Sequence, residues 1–377
     1  MRNKKIPIYN PDICKYKGSA IKAINDGWIS NHGENIKICE DKLKEITKIK
    51  YVILMSNGTC STHCLFISLK YKYPNINKIY IPNNCYVAAW NCALMVYKTK
   101  QLRLMKMDNN TWNICTDENY IMSLEKNSAV LIVHNLGNII NVPRLKRIRP
   151  DLIFVEDNCE GMFGKYEDSY SGMSSSSLCS SCSFYGNKII TTGEGGAFYT
   201  QDEEIYKYIR SVYSQGMSST RYLHDVHAYN YRMTNIEAGF LKEQLDDLDN
   251  ILNNKYKIFD NYNKLLSNLS ELGFVNLIKR EDNTKFAPWI YSLRLNNNNK
   301  TINEIAEFFD DNNVDIRPFF YPINSHGHLK YIENNDDISY LLNKEIIMIP
   351  SSPSITFEEQ QEVVNVITKF ILKNNNL

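Results

Sequence analysis

Three short stretches gather groups able to do chemistry. In SFYGNKIITTGEGG (183–196), Lys188 stands among two aromatic residues, two threonines and four glycines. A lysine becomes a nucleophile when its amine is partly deprotonated, which burial and neighbouring cations achieve. Glycines allow backbone to approach a ligand closely; read locally, the stretch also describes a surface lysine in a Gly-rich turn. The second stretch, LIFVED (152–157), ends on Asp157. A carboxylate buried at a strand end needs a cation or strong donor, or else serves as a helix cap or structural ion pair. The third is Ser56-Asn57-Gly58-Thr59, a turn that offers backbone N–H groups, a hydroxyl and a helix N-terminus to an anion. It lacks the P-loop pattern, and no GxGxxG follows a strand, so triphosphate and dinucleotide readings lose their support. A phosphate turn, an acid at a strand end and a later lysine together form the set that pyridoxal 5′-phosphate (PLP) requires.

Elements able to place these groups are visible in the pattern. Strands are predicted over 51–56, 78–82, 102–107, 129–135, 152–157 and 181–186. Helix-length stretches lie at 59–73, 87–96 and 119–127 between them. Strands alternating with helices imply a mostly parallel sheet covered on both faces, with ligands at the carboxyl ends of the strands. Ser56 to Thr59, His134-Asn135 and Glu156-Asp157 all fall at such ends. From about Asn235 a long run with leucines and isoleucines at helical spacing reads as a connecting helix, followed by a smaller α+β part. Two domains are expected, a large α/β domain over 1–245 and a smaller C-terminal α+β domain over 246–377.

Composition narrows the functional classes. With 43 basic and 42 acidic residues the formal charge is +1, so no global field would gather nucleic acid or an anionic membrane. No run of apolar residues is long enough for a membrane span and no secretory leader is apparent, so a cytoplasmic protein is expected. The ten cysteines are scattered and read as mostly buried free thiols. Cys179 and Cys182 have the spacing of a zinc half-site or redox pair, but no second pair accompanies them, and no metal is expected. His326 and His328, in SHGHL, read as part of a solvated loop.

The motifs resemble those of the DegT/DnrJ/EryC1/StrS sugar aminotransferases, nearly end to end: IPIYNP (6–11), GWISNHG (27–33), SNGT (56–59), VEDNCEG (155–161), SFYGNKIITTGEGG (183–196), YNYRMTNIEA (229–238) and IRPFFYPI (316–323). Within that family the chain looks most like perosamine synthases and other C-4 aminotransferases of nucleotide-linked sugars. The resemblance implies an aspartate aminotransferase-like fold of type I, a homodimer with shared active sites, and PLP (or its amine form, PMP) as cofactor. Lys188 would hold the cofactor covalently and shuttle a proton, and Asp157 would pair with the ring nitrogen. Glu160 would lie near the ring hydroxyl, Tyr86 would stack on the ring, and Gly58, Thr59 and Ser183 would contact the phosphate. Asn230 would reach the phosphate from the other subunit. Ile29, Ser30, Arg317 and Tyr321 would line the sugar-nucleotide cleft. The implied reaction moves the amino group of L-glutamate, leaving 2-oxoglutarate, to C-4′ of a nucleotide-linked 4-keto-6-deoxyhexose, of UDP/dTDP-viosamine or GDP-perosamine type. Rival readings are a C-3 aminotransferase, a sugar dehydratase of the same family, in which a histidine replaces the lysine, and a non-catalytic sensor or structural relative, whose sign would be loss of Lys188, Asp157 or the phosphate turn, all present here. Two departures from the usual pattern, VHNLG (133–137) and CSTHCLF (60–66), leave the cofactor set intact.

Overall fold

The structure, a computed structural model, describes residues 5–296 and 298–375. Along the chain run β1 (Tyr51–Met55), β2 (Ile79–Pro82), β3 (Leu102–Met105), β4 (Ala129–Val133), β5 (Ile153–Asp157), the short pair β6 (Lys165–Tyr166) and β7 (Ser169–Tyr170), then β8 (Ser177–Ser183) and β9 (Gly196–Thr200). Seven of these form one sheet in the order β1-β9-β8-β5-β4-β2-β3. β2 pairs in parallel with β3 and β4, β4 with β5, and β5 with β8. β9 runs antiparallel between β8 and β1.

These strands read as unbroken apolar runs because both faces are covered. Alternate residues divide between two cores: Val52, Leu54, Val130 and Ile132 enter one, and Ile53, Met55, Ala129, Leu131 and Val133 the other. Helices α1 (Gly18–Asn25), α2 (Glu34–Thr47), α3 (Gly58–Lys72), α4 (Val87–Val96), α5 (Glu118–Met122), α6 (Val142–Ile148) and α7 (Glu203–Val212) belong to this part of the chain. Since β1, β2, β4, β5 and β8 point the same way, their carboxyl ends share one edge of the sheet. The turn after β8 that carries Lys188 leaves from that edge and returns to it at Gly196.

The predicted strand at 181–186 is displaced: β8 begins at Ser177 and stops at Ser183. Its first residues, Ser-Leu-Cys-Ser, are too small and polar to give an apolar run, and Phe184 turns to exchange backbone hydrogen bonds with Gly195 and Thr192. The long helical run is three helices, α8 (Asn235–Asp246), α9 (Leu248–Leu265) and α10 (Ser267–Glu271). The first break, at Asp247, is held from outside by the Tyr16 hydroxyl, which donates to Asp247 at 2.6 Å. Beyond them lie β10 (Val275–Leu277), β11 (Thr284–Lys285), β12 (Ser292–Leu295), α11 (Ile302–Asp311), β13 (Arg317–Pro318), α12 (Asp337–Glu345), β14 (Ile346–Met348) and α13 (Phe357–Asn375). An antiparallel sheet, β10-β12-β14-β13, supports a third core that includes Phe309, Ile347 and Ile367. Ile6 joins this core, its backbone bridged to Val314. β11 pairs with β6 and so ties the C-terminal part to the loop after β5. Among the described residues no helix is long and apolar enough to cross a membrane.

Candidate active site

The turn between β1 and α3 is set by Asn57, whose side chain accepts the Cys60 N–H at 2.9 Å and caps the helix. Gly58, the first helical residue, is packed so closely that a Cβ there would stand 2.7 Å from Ser183 Cβ and 3.2 Å from Cys159 Sγ. Gly196 is equally confined, since its Cβ would lie 2.6 Å from the Asn57 carbonyl oxygen. Glycine at these two points therefore brings three segments together: the α3 N-terminus, the end of β8 and the start of β9. Ser183 accepts the Tyr185 N–H at 3.2 Å, which fixes the hydroxyl beside Gly58.

At the end of β5 two neighbouring carboxylates have opposite surroundings. Glu156 is fully buried and fully provided for: His134 Nε2 at 2.9 Å, the Tyr166 hydroxyl at 3.0 Å, the Gly172 N–H at 3.0 Å and the Ser177 hydroxyl. His134 Nδ1 accepts the Ile140 N–H at 3.1 Å, so the ring carries its proton on Nε2 and gives it to Glu156. Glu156 and His134 stand at the carboxyl edge as the sequence suggested, yet they are committed to the scaffold. Asp157 is also buried, and its Oδ1 accepts the Cys159 N–H at 3.1 Å. Among the described residues no basic side chain forms an ion pair with it. A buried carboxylate left without a cation by its own protein suits a cationic ring nitrogen.

Glu160, three residues on, accepts the Leu136 N–H at 2.8 Å. Burial pushes its carboxyl up to about 7, the neighbouring Lys188 and the Leu136 N–H draw it down, and Asp157 raises it again. Lys188, Glu160, Cys159 and Ser183 line one small cleft, with Met162, Ile189, Ile190 and Trp289. The Lys188 turn is held by its own N–H to the Tyr185 carbonyl at 2.9 Å and by the Tyr9 hydroxyl, which donates to the Lys188 carbonyl at 2.7 Å.

The remaining predicted site residues lie outside the lining of this cleft. Tyr86 caps α4 with extended backbone, is 60% exposed, and meets Phe320 edge-on with ring centroids 6.4 Å apart. Tyr321 is also exposed and precedes Pro322, which bridges to Asn84. Asn230, Ile29, Ser30 and Arg317 are not among the residues lining the cleft. Asn230 is exposed and accepts from Arg232 Nε at 3.0 Å. The carbonyls of Ile29 and Ser30 both receive the Asn235 N–H, so the GWISNHG loop wraps the start of α8. Arg317 forms a surface ion pair with Asp315 at 2.6 Å. His326 and His328 do not float free: the His326 ring meets the buried Trp90 edge-on at 5.3 Å, and His328 Nε2 lies 2.8 Å from Asn91 Oδ1. Both anchors are on α4, the helix that Tyr86 caps. Cys179 and Cys182 enter different cores on opposite faces of β8, which separates them as a metal or redox pair. Trp289 and the Glu156 network are the parts of the site that motif reading missed. A lone tryptophan before a strand and a Glu beside a better candidate give no signal without the fold.

The family model described as the DegT/DnrJ/EryC1/StrS aminotransferase family matches residues 15–368. A GDP-perosamine synthase of Escherichia coli O157:H7 is 29% identical over 371 residues, covering 97% of this chain and 99% of that one. A putative sugar aminotransferase from Streptococcus pneumoniae, solved in its PLP form, superposes with a TM-score of 0.86 at 19% identity, over 98% of this chain and 99% of that one. A mutant GDP-4-keto-6-deoxymannose-3-dehydratase with bound GDP-perosamine gives 0.84 at 20% identity, over 96% and 100%. The fold and the PLP cofactor of the family agree with the reading from the motifs, and the chain belongs to the DegT/DnrJ/EryC1/StrS aminotransferase family.

Proposed function

We propose that this chain is a cytoplasmic aminotransferase that moves the amino group of L-glutamate to C-4′ of a nucleotide-linked 4-keto-6-deoxyhexose, giving a 4-amino-4,6-dideoxy sugar for glycan synthesis. The observation that carries the cofactor half of this reading is Asp157, buried and, among the described residues, in no ion pair, beside a Glu156 that has every donor it needs. Similarity to a GDP-perosamine synthase over almost the whole of both chains supports the sugar half.

When bound, PLP supplies a carbonyl carbon that takes up and returns an amino group, and a ring that holds an electron pair meanwhile. The chain's own residues do the rest. Gly58, Thr59 and Ser183 anchor the phosphate with N–H groups, hydroxyls and the positive end of α3. Asp157 would pair with the ring nitrogen and favour its protonated form, Tyr86 would stack on the ring, and Glu160 would serve the ring hydroxyl. Lys188 would hold the cofactor through its side-chain amine, and the same amine, once free, would serve as the acid and base at the cleft. Asn230 reaches the phosphate of a second copy, which makes the homodimer the working unit. Ile29, Ser30, Arg317 and Tyr321 recognise the sugar nucleotide, with the Arg317 guanidinium on the diphosphate. The division near residue 246 separates the sheet that holds the cofactor from the part that carries the sugar-facing segment 316–323.

The test is incubation of the holoenzyme with L-glutamate and a panel of GDP-, UDP- and dTDP-linked 4-keto-6-deoxy sugars, with products read by mass spectrometry and NMR. An amine at C-4′ of one of them is expected. If none is aminated there, the assignment fails. The likeness to a 3-dehydratase gives the second reading, for which the panel would show loss of the C-3 hydroxyl instead. Lys188 favours transamination, since the family resemblance implies a histidine in its place in a dehydratase.

A further inference from the structure

Of the residues lining the cleft, Trp289 alone comes from beyond α9, and it is 4% exposed. Its Nε1–H donates to the Asn187 carbonyl at 2.8 Å, so the indole grips the backbone next to Lys188. The Lys188 amine stands 4.0 Å from the centre of the same ring, well inside cation–π range. The tryptophan is itself braced. Its carbonyl accepts from Lys255 Nζ at 2.9 Å, and that amine, fully buried, also binds the Ser351 carbonyl. On the other side of the turn, Tyr9 holds the Lys188 carbonyl.

We infer that Trp289 is a positioning residue for Lys188: its indole face seats the amine at the cleft while its N–H fixes the preceding carbonyl. A flexible four-carbon stem would otherwise sample many rotamers. A ring quadrupole attracts the charged amine without offering a hydrogen bond that would compete with reaction. The contact also couples the lysine to the C-terminal part of the chain, because Trp289 leads directly into β12 and is pinned by α9 through Lys255. The inference takes Lys188 as the reactive amine of the proposed function, yet it concerns a contact that can be read without turnover.

The experiment is timed amine labelling of the full-length protein, freed of cofactor, with the modification of Lys188 followed by peptide mass spectrometry. Trp289→Leu should speed labelling about two- to thirtyfold, the range that loss of one ring–cation contact gives, with Trp289→Phe lying between it and the parent. To separate the contact from any effect of Trp289→Leu on folding, the second arm replaces all tryptophans biosynthetically by analogues with one to four ring fluorines, which weaken the ring's attraction while keeping its shape. Labelling of Lys188 should then quicken with each fluorine, and the gradient should vanish in a Trp289→Phe background. A flat response to fluorination, or an equal gradient in that background, overturns the inference. Failure of the sugar panel would leave this result untouched, and the reverse also holds.

Discussion

Substituting Glu160 by glutamine isolates one electrostatic feature of the site. Glu160 is 5% exposed, and its carboxyl stands at about 7 against an ordinary 4.5, with burial the largest cause. Well below pH 4.5 the group is protonated in both folded and unfolded chains, and at pH 4.5 the unfolded chain has released about half of its proton. As the pH rises from there to about 7, the unfolded chain releases the proton while the folded chain retains it, so the folded state loses relative stability; above about 7 the loss is complete. At 1.36 kcal/mol per pH unit, a rise of about 2.5 units amounts to roughly 3 kcal/mol. Glutamine has the same shape, cannot ionise, and keeps a carbonyl for the Leu136 N–H. Urea unfolding of parent and Glu160→Gln, both freed of cofactor, should therefore show the variant gaining about 3 kcal/mol on the parent between pH 4.5 and pH 8. Titrations common to both cancel in the difference. In a Lys188→Met background the gain should extend to higher pH, because the cation that draws Glu160 down is gone. A difference that stays constant with pH, or a variant that loses ground as pH rises, would refute the reasoning.

Two further substitutions probe the cradle and the shared site. Gly58→Ala places a Cβ against Ser183 and Cys159, and should cost about 1–3 kcal/mol in urea unfolding; since Ser183 must shift, cofactor absorbance should be lost on dialysis that leaves the parent yellow. Asn230→Ala should weaken cofactor retention while leaving the fold intact, because the side chain is exposed and its hydrogen bond is to Arg232, two residues away. Mixed dimers of Asn230→Ala with Lys188→Ala chains should recover one intact site in each, and a fully active monomer would rule out sharing.

The strands of the first half were legible because a sheet buried on both faces must be written in consecutive apolar residues, as in AVLIV of β4. β8 was misplaced because its buried positions are serines and cysteines satisfied by tertiary hydrogen bonds, such as Ser180 to the Gly172 carbonyl. Lys188, Asp157, Gly58 and Ser183 announced themselves as chemical types at strand ends. The difference between Glu156 and Asp157 did not, since it depends on Tyr166, Ser177 and His134 arriving from three other segments. Trp289 was invisible for the same reason: it meets Asn187 across 102 residues of chain. Arg317 was legible only as a candidate, and in the structure it pairs with Asp315 on the surface.

The central claim is that Lys188 carries the cofactor. Borohydride reduction of the yellow holoenzyme, followed by peptide mass mapping, tests it most directly. The expected result is a phosphopyridoxyl mass fixed to the peptide containing Lys188, with none on Lys255, the buried lysine whose amine desolvation draws down to about 7. A colourless protein that binds no cofactor, or a label on Lys255 in place of Lys188, would contradict it.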